Sequence, residues 1–186
     1  MKPPQAIFTI GHSTRSLETL LQLLRAHGVT LLVDVRTVPR SRHNPQFNQD
    51  TLPQALRKAD MDYMHMKELG GLRHPRRDST NTGWRTAGFR GYADYMETPE
   101  FETNLQQLME VARRRQVCIM CAEAVPWRCH RSLISDALLV RSVGVEHILG
   151  EGARKPHSLT PWARVEGTRL RYPSQENQPA LPLNEG

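Results

Sequence analysis

The chain has 186 residues, 38% of them hydrophobic, which is enough for one domain with a substantial core. No apolar run approaches the roughly 18 residues of a membrane span, and the N-terminus lacks the apolar stretch of a secretory signal, so we expect a cytoplasmic protein with no membrane partner. The formal net charge is +6, and residues 1–91 hold the excess, with 14 Lys and Arg against 7 Asp and Glu. Three cysteines do not make a disulfide framework, so reduced thiols are expected.

The first part of the chain alternates apolar runs with helical periodicity. Residues 6–10 are apolar and stop at Gly11, after which leucines recur at helical spacing up to residue 28. Residues 31–36 begin with an apolar run that occupies both alternating faces, which is typical of a strand buried in a parallel sheet. This order predicts a β-α-β unit.

The middle of the chain is less regular. A weaker helix is predicted over residues 51–59 and a third strand over residues 63–66. Residues 70–90 are polar and rich in arginine, with Trp84 and Phe89 among them. Such a segment can hold phosphates and stack on bases, although a solvated loop has the same composition.

The second half repeats the alternation of helix and strand. Thr98 is predicted to cap a helix that ends near residue 113, and a buried strand follows over residues 117–121. A further helix is predicted to begin near Cys129, and residues 145–149 are the last predicted strand. We therefore expect one domain over residues 1–150 and a proline-rich tail, surface-packed or disordered, over residues 151–186.

Strands that alternate with helices predict an α/β fold: a mostly parallel, Rossmann-like sheet with helices on both faces, in three layers. In such sheets ligands bind outside the carboxyl ends of the strands. The reactive residues at the predicted strand ends should therefore form a single site. These residues are His12, Ser13, Asp34, Arg36, Glu123 and Cys129.

The run from Cys121 to Arg131 is the principal candidate for that site. If a helix begins near Cys129, its unpaired N–H groups and positive dipole end favour a thiolate, and Arg128, His130 and Arg131 act in the same direction. The same groups would hold a phosphate. Cys129 is thus predicted to be a nucleophile or a neighbour of a bound anion, and a buried structural cysteine is the third interpretation.

Other strand-end residues have predicted roles in acid-base chemistry or anion binding. Asp34 or Glu123 could be a general acid or base, although Asp34 and Arg36 could equally form a structural ion pair. His12 and Ser13 could polarise a substrate, or Ser13 could cap the next helix. The residues predicted to bind an anion or substrate are His12, Ser13, Arg36, Arg40, His130 and Arg131.

Several other kinds of site are disfavoured by spacing. Cys118 and Cys121 form a C-x-x-C sequence, but in a strand their side chains point to opposite faces, which argues against a dithiol pair. The first arginine after Cys121 is Arg128, which does not match phosphatase spacing. A zinc site from Cys121, Cys129, His130 and His12 is imaginable, yet the spacing matches no strong zinc pattern, so we predict no metal and no cofactor.

Five motifs in the same order resemble the bacterial family catalogued as domain of unknown function four-eight-eight. The resemblance extends over about residues 7–150. Some members of that family are labelled DNA repair protein, which implies contact with nucleic acid, but the resemblance supplies no substrate and no established catalytic residue. The motifs are residues 9–13, 33–36 with Pro39 and Ser41, 69–71, 91–96, and 121–123 with Pro126 and 129–131.

Two functions follow as hypotheses. The first is an enzyme that acts on a phosphate-bearing substrate, a nucleotide or a nucleic acid, with Cys129, Glu123 and Asp34 as catalytic candidates. The second is a non-catalytic module that binds nucleic acid through its arginines.

Overall fold

A computed structural model describes residues 6–174 of the chain. The helices are α1 (Leu17–Ala26), α2 (Leu52–Arg57), α3 (Ala87–Tyr95), α4 (Pro99–Ala112) and α5 (Arg131–Leu139). The strands are β1 (Ile7–Gly11), β2 (Leu31–Asp34), β3 (Asp62–His65), β4 (Val117–Cys121), β5 (Val145–Gly150), β6 (Ala153–Pro156), β7 (Arg164–Glu166) and β8 (Arg169–Arg171). Every predicted strand and helix is present, and α3 is an additional helix that begins inside the arginine-rich segment.

The strands β1 to β6 form one sheet in the order β3-β2-β4-β1-β5-β6. The pairs among β1 to β5 are parallel, and β6 runs antiparallel to β5. The predicted α/β fold with a mostly parallel sheet is therefore confirmed. Because β4 lies between β1 and β2, Gly11 pairs with Cys121 and Asp34 pairs with Met120. The carboxyl ends of these three central strands consequently meet at one edge.

The two faces of the sheet carry two separate cores. Ile7, Val33 and Ile119 face one layer with residues of α3, α4 and α5, whereas Phe8 and Leu32 face the other with residues of α1 and α2. This division follows from the two-residue period of a strand. Cys118 belongs to the α1 and α2 side, and Cys121 belongs to the α5 side. The C-x-x-C pair is thus split by the sheet.

Helix caps fix where two of the helices begin. The hydroxyl of Thr98 accepts from the backbone N–H of Phe101 at 3.2 Å, with Pro99 at the first helical position, which confirms the predicted start of α4. The cap of α1 is Ser16, whose hydroxyl accepts from Thr19 N–H at 3.1 Å. Ser13 does not cap α1, so the interpretation of Ser13 as the cap of the next helix is wrong.

The chain beyond Gly150 continues the fold. Strand β6 extends the sheet, β7 and β8 form a hairpin, and Tyr172 is fully buried with its hydroxyl donating to Asp136 at 2.9 Å. Residues 175–186 of the predicted tail lie outside the described residues. Within residues 6–174, no helix is long and apolar enough to cross a membrane.

A buried carboxylate organises the arginine-rich segment. Asp94 in α3 accepts from the backbone N–H of Arg76 at 2.8 Å, from Ser79 Oγ at 2.6 Å and from Asn81 Nδ2 at 2.8 Å. Because these bonds satisfy both oxygens of a carboxylate that is 3% exposed, they tie an otherwise irregular stretch to the body of the domain.

Candidate functional site

The backbones of β1 and β4 stay together beyond the end of the sheet. His12 N–H donates to Cys121 O and Ser13 N–H donates to Ala122 O, both at 2.9 Å. A Cβ at Gly11 would lie 1.8 Å from the carbonyl oxygen of Glu123, so only glycine permits this approach. Ser13 has a φ of 49°, which is unusual for a non-glycine residue. His12, Ser13 and Glu123 are therefore brought together as the sequence predicted.

Two cysteines and a histidine form the centre of this edge, and we call Cys121, Cys129 and His130 the sulfur cluster. The Nδ1 atom of His130 lies 3.7 Å from Cys129 Sγ and 4.0 Å from Cys121 Sγ. All three candidate ligand atoms lie within 4.8 Å of one another, and these three residues could hold a metal ion. Both cysteines are buried and are free thiols.

The helix after Cys129 begins two residues later than expected. Helix α5 starts at Arg131, and Cys129 itself has an extended backbone. Its Sγ nevertheless accepts from the first helical N–H, that of Arg131, at 3.5 Å and from Arg131 Nε at 3.4 Å. The predicted contact between the Cys129 sulfur and the helix start is therefore present.

The pKa values of the two thiols in the sulfur cluster are shifted in opposite directions. Burial raises the pKa of Cys129, but hydrogen bonds to Cys121 and His130, together with the charge of Arg131, outweigh burial and hold that pKa well below its ordinary value. The pKa of Cys121 is raised, first because its thiol donates to the Cys129 sulfur and then because it is buried. Within the pair, the proton is therefore favoured on Cys121 and the thiolate on Cys129.

Three contacts fix the imidazole of His130. Its Nε2 lies 3.0 Å from the carbonyl oxygen of Val35, and its ring packs against Tyr92 with ring centroids 5.1 Å apart. A Cβ at Gly71 would lie 2.5 Å from Nδ1, so the second glycine of the Leu69-Gly70-Gly71 run leaves room for this ring. Since a carbonyl only accepts, Nε2 carries a proton, and Nδ1 faces the two sulfurs.

Arg131 is an internal anchor. It is 1% exposed, and besides contacting Cys129 it donates from Nη1 to Thr9 Oγ1 at 3.2 Å and from Nη2 to the carbonyl oxygen of Glu123 at 2.6 Å. These bonds hold the Cys129 sulfur and the Glu123 backbone in fixed positions. The guanidinium predicted to clamp an anion is thus committed to protein groups.

A line of buried polar side chains continues from Arg131 away from the cluster. Thr9 Oγ1 lies 2.7 Å from His147 Nδ1, His147 Nε2 lies 2.9 Å from His157 Nδ1, and His157 Nε2 lies 2.8 Å from Asp136 Oδ1. Burial first, and then the neighbouring His157, lower the pKa of His147 to about 4. Sequence reasoning missed this line because His147 has no pattern around it that predicts a polar partner.

Asp34 and Arg36 form a buried pair with complete hydrogen bonding. Arg36 donates from Nε to Asp34 Oδ1 at 2.9 Å and from Nη2 to Oδ2 at 2.6 Å, and Tyr63 O–H donates to Oδ2 at 2.8 Å. Arg36 Nη2 also donates to Phe47 O at 2.6 Å. Asp34 is fully buried, so its carboxylate holds Arg36 in place.

His12 receives a bond from that same arginine. Its Nδ1 donates to Ser13 O at 2.8 Å, which leaves Nε2 to accept from Arg36 Nη1 at 3.2 Å. Burial lowers the pKa of His12, and the positive charge of Arg36 lowers it further. The neutral form of His12 is therefore favoured.

Three adjoining cavities run along this edge. The sulfur cavity, of about 340 Å³, is lined by Cys121, Cys129 and His130. The arginine cavity, also of about 340 Å³, is lined by His12, Ser13 and Arg40 and shares Arg36 and Glu123 with the sulfur cavity. The aromatic cavity, of about 990 Å³, shares Phe89, Glu123 and Arg128 with the sulfur cavity and is otherwise lined by residues including Trp84, Arg85, Trp127 and Trp162.

Three exposed guanidiniums border these cavities. The side chains of Arg40, Arg85 and Arg128 make no hydrogen bond or ion pair with residues 6–174. Trp127, which lines the aromatic cavity with Arg85 and Arg128, is 63% exposed. The sequence named Arg40 and Arg128 as groups that could hold a phosphate, and the signal for Arg85 was its place in the arginine-rich segment.

The fold and the site define the class: a three-layer α/β domain with a cysteine-histidine cluster at the carboxyl edge of its parallel strands. A family model described as Domain of unknown function DUF488 matches residues 16–138, and the chain belongs to this family. The match includes the whole sulfur cluster. No curated protein and no solved structure matches the chain.

Proposed function

We propose that this protein is an enzyme that acts on a phosphate-bearing substrate, a nucleotide or a nucleic acid, at the carboxyl edge of the sheet. One observation carries the proposal: the exposed Glu123 lines all three cavities. A single groove thus borders the sulfur cluster, a carboxylate and exposed guanidiniums. Reactive groups that converge in a cleft of an α/β sheet favour an active site.

The geometry supports a distinct role for each group. Cys129 is the sulfur on which the reaction depends, and Glu123, whose carboxylate is exposed in the groove, transfers protons. Arg40 and Arg128 hold the phosphate, because their guanidiniums are exposed and lack partners among the described residues.

The remaining predicted site residues support this arrangement from within the protein. Asp34 positions Arg36, which in turn fixes neutral His12 beside Ser13. His130 and Arg131 hold the Cys129 sulfur. The oxygens of Asp34 are occupied by Arg36 and Tyr63, so Asp34 takes no part in the proposed proton transfer.

Binding is the first test of the proposal. We expect inorganic phosphate and nucleoside phosphates to bind the wild-type protein in calorimetry, and Arg40→Ala with Arg128→Ala to weaken that binding by about tenfold or more, since a hydrogen bond to a charged group contributes about 1.5–3 kcal/mol. Arg57→Ala is the matched control, because Arg57 is also exposed but lies on α2, away from the groove. Equal losses in the control and the double variant would contradict a phosphate site here.

Turnover is the second test. The wild-type protein is incubated with nucleoside phosphates and short oligonucleotides, and products are resolved by chromatography. Cys129→Ser and Glu123→Gln should each retain phosphate binding and lose turnover. Turnover that survives in both variants would assign the chemistry to other residues.

The second candidate is a non-catalytic module that binds nucleic acid in DNA repair. The exposed Trp127 beside Arg85 and Arg128 favours it, because such groups stack on bases and contact phosphates. This candidate predicts oligonucleotide affinity that falls about tenfold or more between low and physiological salt. Under it, Cys129→Ser and Glu123→Gln leave binding intact and no product is formed by any variant.

A further inference from the structure

The two nitrogen-to-sulfur distances of the sulfur cluster are close to those of a tetrahedral metal centre. Bonds of about 2.3 Å from zinc to sulfur and about 2.0 Å to nitrogen place sulfur and nitrogen ligands about 3.6 Å apart. The distances from His130 Nδ1 to the sulfurs of Cys129 and Cys121 are 3.7 and 4.0 Å. Two cysteines from different elements, the end of β4 and the loop before α5, thus converge on one imidazole nitrogen.

The imidazole has the orientation that metal binding needs. Its Nε2 donates to the carbonyl oxygen of Val35 at 3.0 Å, so Nδ1 is the ring nitrogen that faces the sulfurs, and a metal would bind there in place of the Nδ1 proton. Metal-ligating histidines commonly donate their other ring N–H to a carbonyl or carboxylate in this way, which fixes the tautomer and the plane of the ring. Gly71 and Tyr92 restrict the ring further.

We propose that Cys121, Cys129 and His130 bind a thiophilic divalent metal ion of the zinc class. Two thiolates and an imidazole are the ligand types that zinc prefers, and two thiolates balance its charge. Arg131 Nε, at 3.4 Å from the Cys129 sulfur, donates to one ligand from outside. This proposal reverses the expectation from sequence spacing, because the spacing gave no sign that β4 and the α5 loop meet.

Three protein ligands leave a fourth position for water or substrate, which is the arrangement of catalytic rather than structural zinc. All three ligand residues line the sulfur cavity, and Glu123 lines it as well. A metal held there is reached from the groove. Cys129 then acts as a ligand, and Glu123 is the exposed carboxylate of the cavity wall that would assist a bound water.

Metal content tests the proposal directly. The full chain, with any affinity tag removed, is incubated with Zn²⁺, dialysed against metal-free buffer and measured by plasma mass spectrometry. We expect about one zinc ion per chain in the wild type. Cys121→Ser, Cys129→Ser and His130→Ala should each lower zinc affinity by more than about 100-fold, since losing an outer partner alone costs 10- to 100-fold.

Cys118→Ser is the matched control. Cys118 is also a buried free thiol of β4, but it lies on the opposite face of the sheet. Zinc should stay at the wild-type level in this variant. Equal zinc content in the wild type and Cys121→Ser, or no zinc retained by the wild type, overturns the proposal.

Cobalt spectroscopy needs no variant and so does not depend on whether variants fold. Co²⁺ added to the wild type should give a thiolate-to-metal charge-transfer band in the near ultraviolet and intense visible bands of tetrahedral coordination. Cobalt binding without the charge-transfer band overturns the proposal, as does a Cys121–Cys129 disulfide in metal-free protein prepared without oxygen.

The metal inference is independent of the substrate proposed above. Its measurements contain no phosphate or nucleotide, so a cluster that binds zinc in a protein without phosphate affinity would refute only the proposed function. Phosphate turnover without metal, unaffected by chelators, would refute only the metal centre.

Discussion

The imidazole of His130 donates to the backbone carbonyl oxygen of Val35, 95 residues earlier in the chain, at 3.0 Å. That bond joins the loop before α5 to the end of β2. It determines which ring nitrogen faces Cys121 and Cys129, and through them it determines what the cluster can bind.

We expect Gly71→Ala to disturb the cluster. A Cβ at this position would lie 2.5 Å from Nδ1 and 2.8 Å from Cγ of His130, so the ring must move or the loop must shift. The cost should be about 1–3 kcal/mol in the free energy of unfolding, as for other overpacked sites. Urea denaturation measures it, and zinc content should fall in parallel.

Gly88→Ala is the control for that variant. Gly88 lies in α3, and a Cβ there would meet nothing within 4 Å. Alanine should stabilise the helix by up to about 1 kcal/mol and leave zinc content unchanged. Equal effects of the two variants would show that His130 does not depend on the space at Gly71.

We expect Asp34→Asn to destabilise the fold by about 3–5 kcal/mol, because it leaves the buried Arg36 guanidinium without its counter-charge. Asp62→Asn is the comparison, since the Asp62–Arg115 pair is largely exposed and should contribute at most about 1 kcal/mol. Both values come from chemical denaturation. A loss at Asp34 no larger than that at Asp62 would count against its positioning role.

The stability of the protein should decrease as the pH falls from 6.5 to about 4, partly because of His147. Its folded-state pKa is lowered to about 4, mainly by burial, whereas the unfolded chain takes up a proton near 6.5. Within that window the unfolded state binds more protons, so acid favours unfolding. The urea midpoint should change less steeply with pH in His147→Gln than in the wild type. Curves of identical slope would indicate that His147 titrates normally.

Trp127→Ala should weaken the binding of a single-stranded oligonucleotide by about 1–3 kcal/mol, the usual contribution of stacking a base on an aromatic ring. Stability should change little, because the side chain is 63% exposed. Val165→Ala removes a comparably exposed apolar side chain from β7 and should leave binding unchanged. Fluorescence anisotropy with a labelled oligonucleotide compares the three proteins.

Much of the fold was predictable because it depends on local pattern. Leucines at helical spacing, the buried runs at β1, β2 and β4, and Thr98 with Pro99 each indicate an element without reference to the rest of the chain. Helix α3 was not predicted, because its periodicity is weak and its buried Asp94 serves the preceding loop. The start of α5 was predicted two residues early, because Pro126–Arg128 form a short 3-10 helix that shifts Cys129 into extended chain.

The candidate site was likewise predictable in part. The alternation of strands and helices placed His12, Asp34, Arg36, Glu123 and Cys129 at strand ends. Because parallel strands share one carboxyl edge, the sequence by itself determined that these residues gather there. Only the tertiary structure decided how the side chains of the candidate site are arranged. Strand β4 lies between β1 and β2, and that order brings Val35 and Gly71 to His130. Contacts between residues so far apart in the chain leave no periodic signal, because each depends on the packing of the whole sheet.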